Sequence, residues 1–265
     1  MATQFVTAAS VREALEAKGA GCAYLAGGTE INRLDSSVEA DTLISLRKLE
    51  ELKEVKEKND FVCIGSLCTF QQALEEEIVP EWFKDACRFM GSRTKRNMAT
   101  IGGNIAIKRT DSYLLPTLIA ADAKLALSGA DGDKVVTVLE YVKGDFDELI
   151  THVCVPADPG FVKSVRYSNT VQSHAYLTVA FAAKDLDHIN MAAAVKGGGI
   201  YHLTDLAAAM EKDHDVTEET LVNMVYDCDG AVFPTDMFGS EKYKRYLLGV
   251  TAAILLSDAK KGGLA

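Results

Sequence analysis

The residues best placed for ligand chemistry are two glycine pairs in similar surroundings. Met98-Ala99-Thr100-Ile101-Gly102-Gly103-Asn104 follows Lys95 and Arg96, and Tyr24-Leu25-Ala26-Gly27-Gly28-Thr29-Glu30 follows an apolar run. Adjacent residues without Cβ let the backbone approach a ligand closely and present amide N–H groups on one side. A single Gly-Gly pair is more often a tight turn. Two copies with flanking hydroxyl and amide side chains point instead to two amide-rich loops gripping one pyrophosphate. Asp111, shortly after the second pair, is electrostatically wrong for a phosphate but suited to the vicinal hydroxyls of a ribose. Its spacing equally suits a helix N-cap for the segment 112–121.

Other chemistries find little support. The net charge of −10 and the pI near 5.0 argue against nucleic-acid and anionic-membrane partners, which call for a basic face. A phosphate must then be held mainly by backbone amides. The 6 cysteines lack C-x-x-C spacing and have no nearby histidines at metal-ligand spacing, so they read as buried thiols in a reducing cytoplasm, and no metal site is expected. Ser173-His174 lacks a nameable acid and oxyanion hole, which sets a hydrolase aside. No G-x-G-x-x-G fingerprint occurs, and Gly197-Gly198-Gly199 reads as a turn. The N-terminus has no signal-peptide character, and no apolar run is long enough to span a membrane, so a cytoplasmic location is expected.

The elements that must position these loops follow from periodicity. Ser10-x-x-Glu13 and Thr69-x-x-Gln72 have the form of capping boxes, opening helices over about 11–18 and 69–76. Runs 22–26, 42–46 and 61–65 read as strands, giving a small α/β unit, and 81–90 as an amphipathic helix after Pro80. Short strands over 124–127, 135–139, 149–155 and 164–167 make the next part more antiparallel. A hairpin joins 177–184 to 189–195 around Asp185-Leu186-Asp187-His188. Thr204 and Thr217 are expected N-caps, and a long helix occupies about 240–260. At 265 residues the chain can hold one large domain or two smaller ones, and a boundary is expected near residue 163.

Taken in order, the opening 5–10, Leu25-Ala26-Gly27-Gly28-Thr29-Glu30, Thr100-Ile101-Gly102-Gly103-Asn104-Ile105, Asp111 and the closing Ser240-x-x-Tyr243-x-Arg245-Tyr246-x-x-Gly249-Val250 carry a resemblance. Over nearly its whole length the chain resembles the FAD-binding medium subunit of molybdenum hydroxylases. Segment 92–97 and Leu114-Leu115-Pro116 are most similar to the small flavin subunits of bacterial xanthine or purine dehydrogenases.

The resemblance implies an α+β fold: a PCMH-type FAD-binding domain of two α/β subdomains over 1–163, then a C-terminal three-stranded antiparallel sheet with helices over 164–265. It places Leu25, Ala26, Gly27, Gly28, Thr29, Glu30, Thr100, Gly102, Gly103 and Asn104 along the FAD pyrophosphate and ribityl chain, and Asp111 on the adenosine ribose. Ile150 and Tyr176 would lie at the flavin, Tyr176 where eukaryotic xanthine dehydrogenases have a lysine. Met90 falls where relatives set an aromatic ring on the isoalloxazine, although a core methionine fits its helix face equally. No catalytic acid or base is implied. The expected partners are a [2Fe-2S] iron-sulfur subunit, a large molybdenum-cofactor subunit, and NAD+ or another electron acceptor. Cys154 stands alone between 88 and 227, which counts against an inserted [4Fe–4S] cluster. The rival expectation is a flavin-free assembly subunit that keeps the fold.

Overall fold

The computed structural model describes residues 4–34, 36, 38–262 and 264. Its strands form three sheets. The first is parallel and three-stranded: β1 (Gln4–Thr7) and β2 (Cys22–Leu25) flank β3 (Thr42–Ser45), with α1 (Val11–Glu16) crossing between β1 and β2. Ser10 caps α1 by accepting from the Glu13 amide at 3.1 Å, and Glu13 returns a carboxylate to the Ala9 amide at 2.8 Å. This short sheet ends at Leu25, so its carboxyl edge delivers the first glycine pair directly.

The second sheet is antiparallel and five-stranded, in the order β4 (Val55–Lys58), β5 (Phe61–Gly65), β8 (Leu149–Pro156), β6 (Lys124–Gly129) and β7 (Gly132–Thr137). Helices α2 (Phe70–Glu75), α3 (Glu81–Arg88), α4 (Arg93–Arg96), α5 (Ile101–Ala106), α6 (Leu115–Ala120) and α7 (Val138–Lys143) belong to this part of the chain. The capping box expected at Thr69 and Gln72 is complete in both directions. A second one, Thr137 with Glu140, opens α7. Cys63 and Cys154 stand directly opposite each other on β5 and β8 and are joined by a disulfide. That corrects the expectation of thiols throughout: a pair 91 residues apart in sequence becomes adjacent only through strand register. Cys68 and Cys87 are buried free thiols, Cys22 is half-buried and Cys228 exposed.

The third sheet is antiparallel and has four strands, one more than expected: β9 (Phe161–Tyr167), β10 (Leu177–Asp185), β11 (His188–Val195) and β12 (Gly199–His202), in the order β12-β11-β10-β9. The extra member is β12, which the glycine run at 197–199 hides from a strand reading. Alternation sorts β10 and β11 by size. Ala180, Ala182 and Ala192 face the core shared with the five-stranded sheet, while Leu177, Val179, Phe181 and Met191 face α8 (Thr204–Lys212), α9 (Glu218–Tyr226) and α10 (Glu241–Lys261). Small side chains on one face leave room for α6, all six residues of which are buried. Thr217 caps α9 as expected, but Leu203 rather than Thr204 holds the N-cap of α8 and makes no side-chain cap bond. Among the described residues no helix is long and apolar enough to cross a membrane.

Candidate cofactor site

A cavity of about 400 Å³ opens where the parallel sheet meets the five-stranded one. Its wall includes Ala26, Gly27, Gly28, Thr29, Glu30, Met90, Thr100, Gly102, Gly103, Asn104, Asp111 and Ile150. The fold therefore brings together twelve of the fourteen residues singled out in sequence. Leu25 is the last residue of β2 and lies behind the loop. Tyr176 is the clear displacement: its ring stacks on Phe238 with centroids 5.5 Å apart, inside the core of the third sheet. The residue of that segment that reaches the cavity is His174. Met90 is 4% exposed, packed in the core, and also forms part of the cavity wall.

The two glycine pairs sit against each other and differ in what they leave free. A Cβ on Gly27 would overlap the Met98 carbonyl, so Gly27 is where the first loop touches the second. Gly28 has φ +71°, a conformation that side chains with Cβ resist, and Asn32 Nδ2 donates to its carbonyl at 2.8 Å. Among the described residues, the amide N–H groups of Gly27, Gly28, Thr29, Glu30 and Ile31 donate to no protein acceptor.

The second pair is not a free loop but the first turn of α5. Thr100 Oγ1 caps it by accepting from the Gly103 amide at 3.2 Å. The Ile101 amide donates to Cys68 O and the Gly102 amide to Ser66 O, each at 2.9 Å, and the Asn104 amide donates to Thr100 O at 3.1 Å. Its amides are thus all consumed, contrary to the expectation of two amide-donating loops. Gly102 is required for packing, because a Cβ there would come within 2.5 Å of Ser66 Cβ.

Side chains outside the set singled out in sequence complete the wall. The cations Arg109, Arg33 and Lys95 line the cavity together with His174 and Tyr113, so its polar lining is not made of amides alone. Arg109 forms a fork with Asp111, Nε to Oδ1 at 2.7 Å and Nη2 to Oδ2 at 2.9 Å. The spacing Arg109-x-Asp111 was the available signal. Burial pushes the Asp111 carboxyl up, but the hydrogen bonds from Arg109 and the charges of Arg109 and Lys196 hold it below the usual range, so it is ionised. The helix-cap alternative for Asp111 does not occur: Ser112 Oγ takes the Leu114 and Leu115 amides at 3.3 Å instead. His174 packs on the Tyr113 ring with centroids 5.1 Å apart, and burial lowers its pKa, leaving it neutral near pH 7.

Three buried polar atoms of the wall have no hydrogen-bond partner among the described residues: Tyr24 Oη, Ser66 Oγ and His174 Nδ1. Burial pushes the Tyr24 phenol up to about 12, so it stays a hydrogen-bond donor. Unpartnered buried polar groups are costly unless a ligand or water satisfies them. Together with the free amides of the first loop, they fit a polar, phosphate-bearing cofactor with an aromatic ring. Among the described residues no three His, Cys, Asp or Glu side chains converge to hold a metal ion.

This combination of a mixed α/β scaffold and an amide-lined cavity defines a dinucleotide-type cofactor-binding chain. Residues 1–158 match the family described as the FAD binding domain in molybdopterin dehydrogenase, and the chain belongs to that family, with FAD as its cofactor. It is similar to YgfM, an uncharacterized protein of Escherichia coli K12, with 32% identity over 99% of this chain and 98% of that one. It is also 30% identical to the glyceraldehyde dehydrogenase medium chain of Sulfolobus acidocaldarius, over 79% of this chain and 80% of that one. A carbon monoxide dehydrogenase structure from Hydrogenophaga pseudoflava shares the fold, with a TM-score of 0.86 at 20% identity, covering 100% of this chain and 99% of that one.

Proposed function

We propose that this chain is the electron-transfer subunit of a xanthine or purine dehydrogenase-like molybdenum hydroxylase. It would take electrons from a [2Fe-2S] subunit docked beside a large molybdenum subunit and deliver them to NAD+ or another acceptor. FAD, when bound, supplies the exchange between one-electron and two-electron carriers. This chain's own residues bind and orient it. The amides of Gly27 to Ile31 would hold the diphosphate, Asp111 the ribose hydroxyls, and Ile150 and Met90 would exclude water from the ring. Thr100, Gly102, Gly103 and Asn104 belong to the same proposed contact set, through side chains and packing. A division near residue 163 into a cofactor unit and a C-terminal unit is part of this reading, as is a cytoplasmic setting.

The observation that supports it most directly is the run of amides without protein acceptors, in residues that line the cavity beside an ionised carboxylate. The test is the visible spectrum of the purified chain after incubation with FAD and desalting. Retained flavin, identified by mass as FAD, is the expected result. No retention, even with both partner subunits present, would leave the flavin-free assembly subunit as the better account. Adding NAD+ to the reduced complex and following absorbance at the nicotinamide band would decide the acceptor.

A further inference from the structure

Arg109 does more than pair with the carboxylate beside it. Besides the fork on Asp111, its Nη1 donates to Glu30 Oε1 at 3.0 Å. Glu30 lies within the stretch of loop that carries the unpartnered amides, and Asp111 lies on a different segment that lines the cavity, after α5. One guanidinium therefore clasps both walls. The Glu30 and Asp111 side chains are only 15% and 4% exposed. Arg33 Nη1 stands 3.7 Å from Glu30, and Lys196 and His174 also face Asp111. Without Arg109, two largely buried carboxylates would lose the one cation hydrogen-bonded to both, on a chain whose net charge is already −10. With it, Glu30 and Asp111 are balanced by Arg109 and Arg33.

The fork geometry adds direction. A guanidinium has five N–H donors, and Arg109 spends three of them on the two carboxylates. The other two have no acceptor among the described residues, in a side chain that lines the cavity and is 25% exposed. A cation held by three hydrogen bonds is pre-organised, so little side-chain entropy is lost when an anion reaches it.

We propose that Arg109 is a specificity-determining residue of this cavity, the clasp that positions the amide loop through Glu30 and the cation that lets a diphosphate-bearing ligand enter. This rests on the FAD-site reading above. Lysine at the same position would keep the charge and lose the fork. Glutamine would lose both and take away the cation shared by Glu30 and Asp111, leaving Arg33 beside Glu30 and Lys196 facing Asp111.

The experiment titrates FAD into the purified full chain as wild type, Arg109→Gln and Arg109→Lys, following flavin fluorescence at low salt and at about 0.5 M salt, where exposed charge is screened. Thermal denaturation checks that each variant is folded. The expected result is a loss of about tenfold or more in FAD affinity for Arg109→Gln, a partial recovery in Arg109→Lys, and a smaller gap between wild type and Arg109→Gln at high salt. FAD affinity of folded Arg109→Gln within about twofold of wild type would overturn the inference and leave the FAD site standing. Arg109→Lys no better than Arg109→Gln would also overturn it, since the loss would then be structural. Should Arg109→Gln fail to fold, the Arg109→Lys affinity and its salt dependence decide alone. A wild type that binds no FAD would overturn the FAD-site reading and this inference together.

Discussion

Around Gly27-Gly28 the backbone leaves a run of amides without protein acceptors, whereas around Gly102-Gly103 every amide of the turn is taken up by Cys68, Ser66 or Thr100. The two segments carry the same residue pattern and touch through Gly27 and Met98. One is a cavity-lining loop held by the Asn32 bond to Gly28 and the Arg109 bond to Glu30. The other is a capped helix start that serves as the seat for the first. The difference teaches that a glycine pair marks close backbone approach, and that what approaches may be ligand or chain. Hydrogen-bond accounting tells the two apart.

Substitutions separate the two roles. Gly27→Ala should have the largest effect, because its Cβ overlaps backbone that cannot rotate away. A loss of about 2–3 kcal/mol in thermal denaturation is expected, together with loss of retained flavin. Full stability in that variant would mean the loops do not pack as described. Gly28→Ala should cost about 1–2 kcal/mol from its positive φ, and FAD affinity should fall with it, because the free amides on either side are displaced. Thr100→Ala removes the cap of α5 and should cost about 1 kcal/mol of stability. Its FAD affinity should fall less than that of Gly28→Ala when the two are titrated side by side. The reverse order would make the second segment the principal phosphate binder.

The smallest effect concerns pH. His174 has its pKa lowered by burial, so the folded chain binds that proton more weakly than the unfolded chain does. Its contribution to stability is fully present above the ordinary histidine value of about 6.5 and is lost as pH falls toward the lowered folded value. His152 and His202 are lowered by burial as well and act in the same window. His174→Gln should therefore flatten, without abolishing, the fall in melting temperature between about pH 7 and pH 5. An unchanged slope would place His174 outside the electrostatics of the cavity.

Much of this architecture was legible in the chain. Local signals survive folding where one segment settles its own geometry: Thr69 with Gln72, Thr217, strand 61–65, the hairpin at 185–188 and the long last helix all stand where periodicity and capping put them. Gathering the glycine segments, Asp111, Met90 and Ile150 around one cavity was legible because the family pattern covers all of them, within residues 1–158. Tyr176 was set at the flavin by its place in the family pattern, which does not decide whether a ring turns to the cavity or to the neighbouring core. Its ring found Phe238, from a segment far along the chain.

Composition, turn chemistry and hydrophobic period determined by themselves that this is an acidic α/β chain with two glycine-marked backbone contacts and a carboxylate nearby. Tertiary structure alone decided which glycine pair keeps its amides, that Cys63 meets Cys154 across two strands, and that Arg109 reaches both Glu30 and Asp111. The physical reason is common to all three. Hydrogen-bond satisfaction, strand register and ion pairing between distant residues depend on which groups end up within about 3 Å of each other, a distance no local sequence pattern encodes.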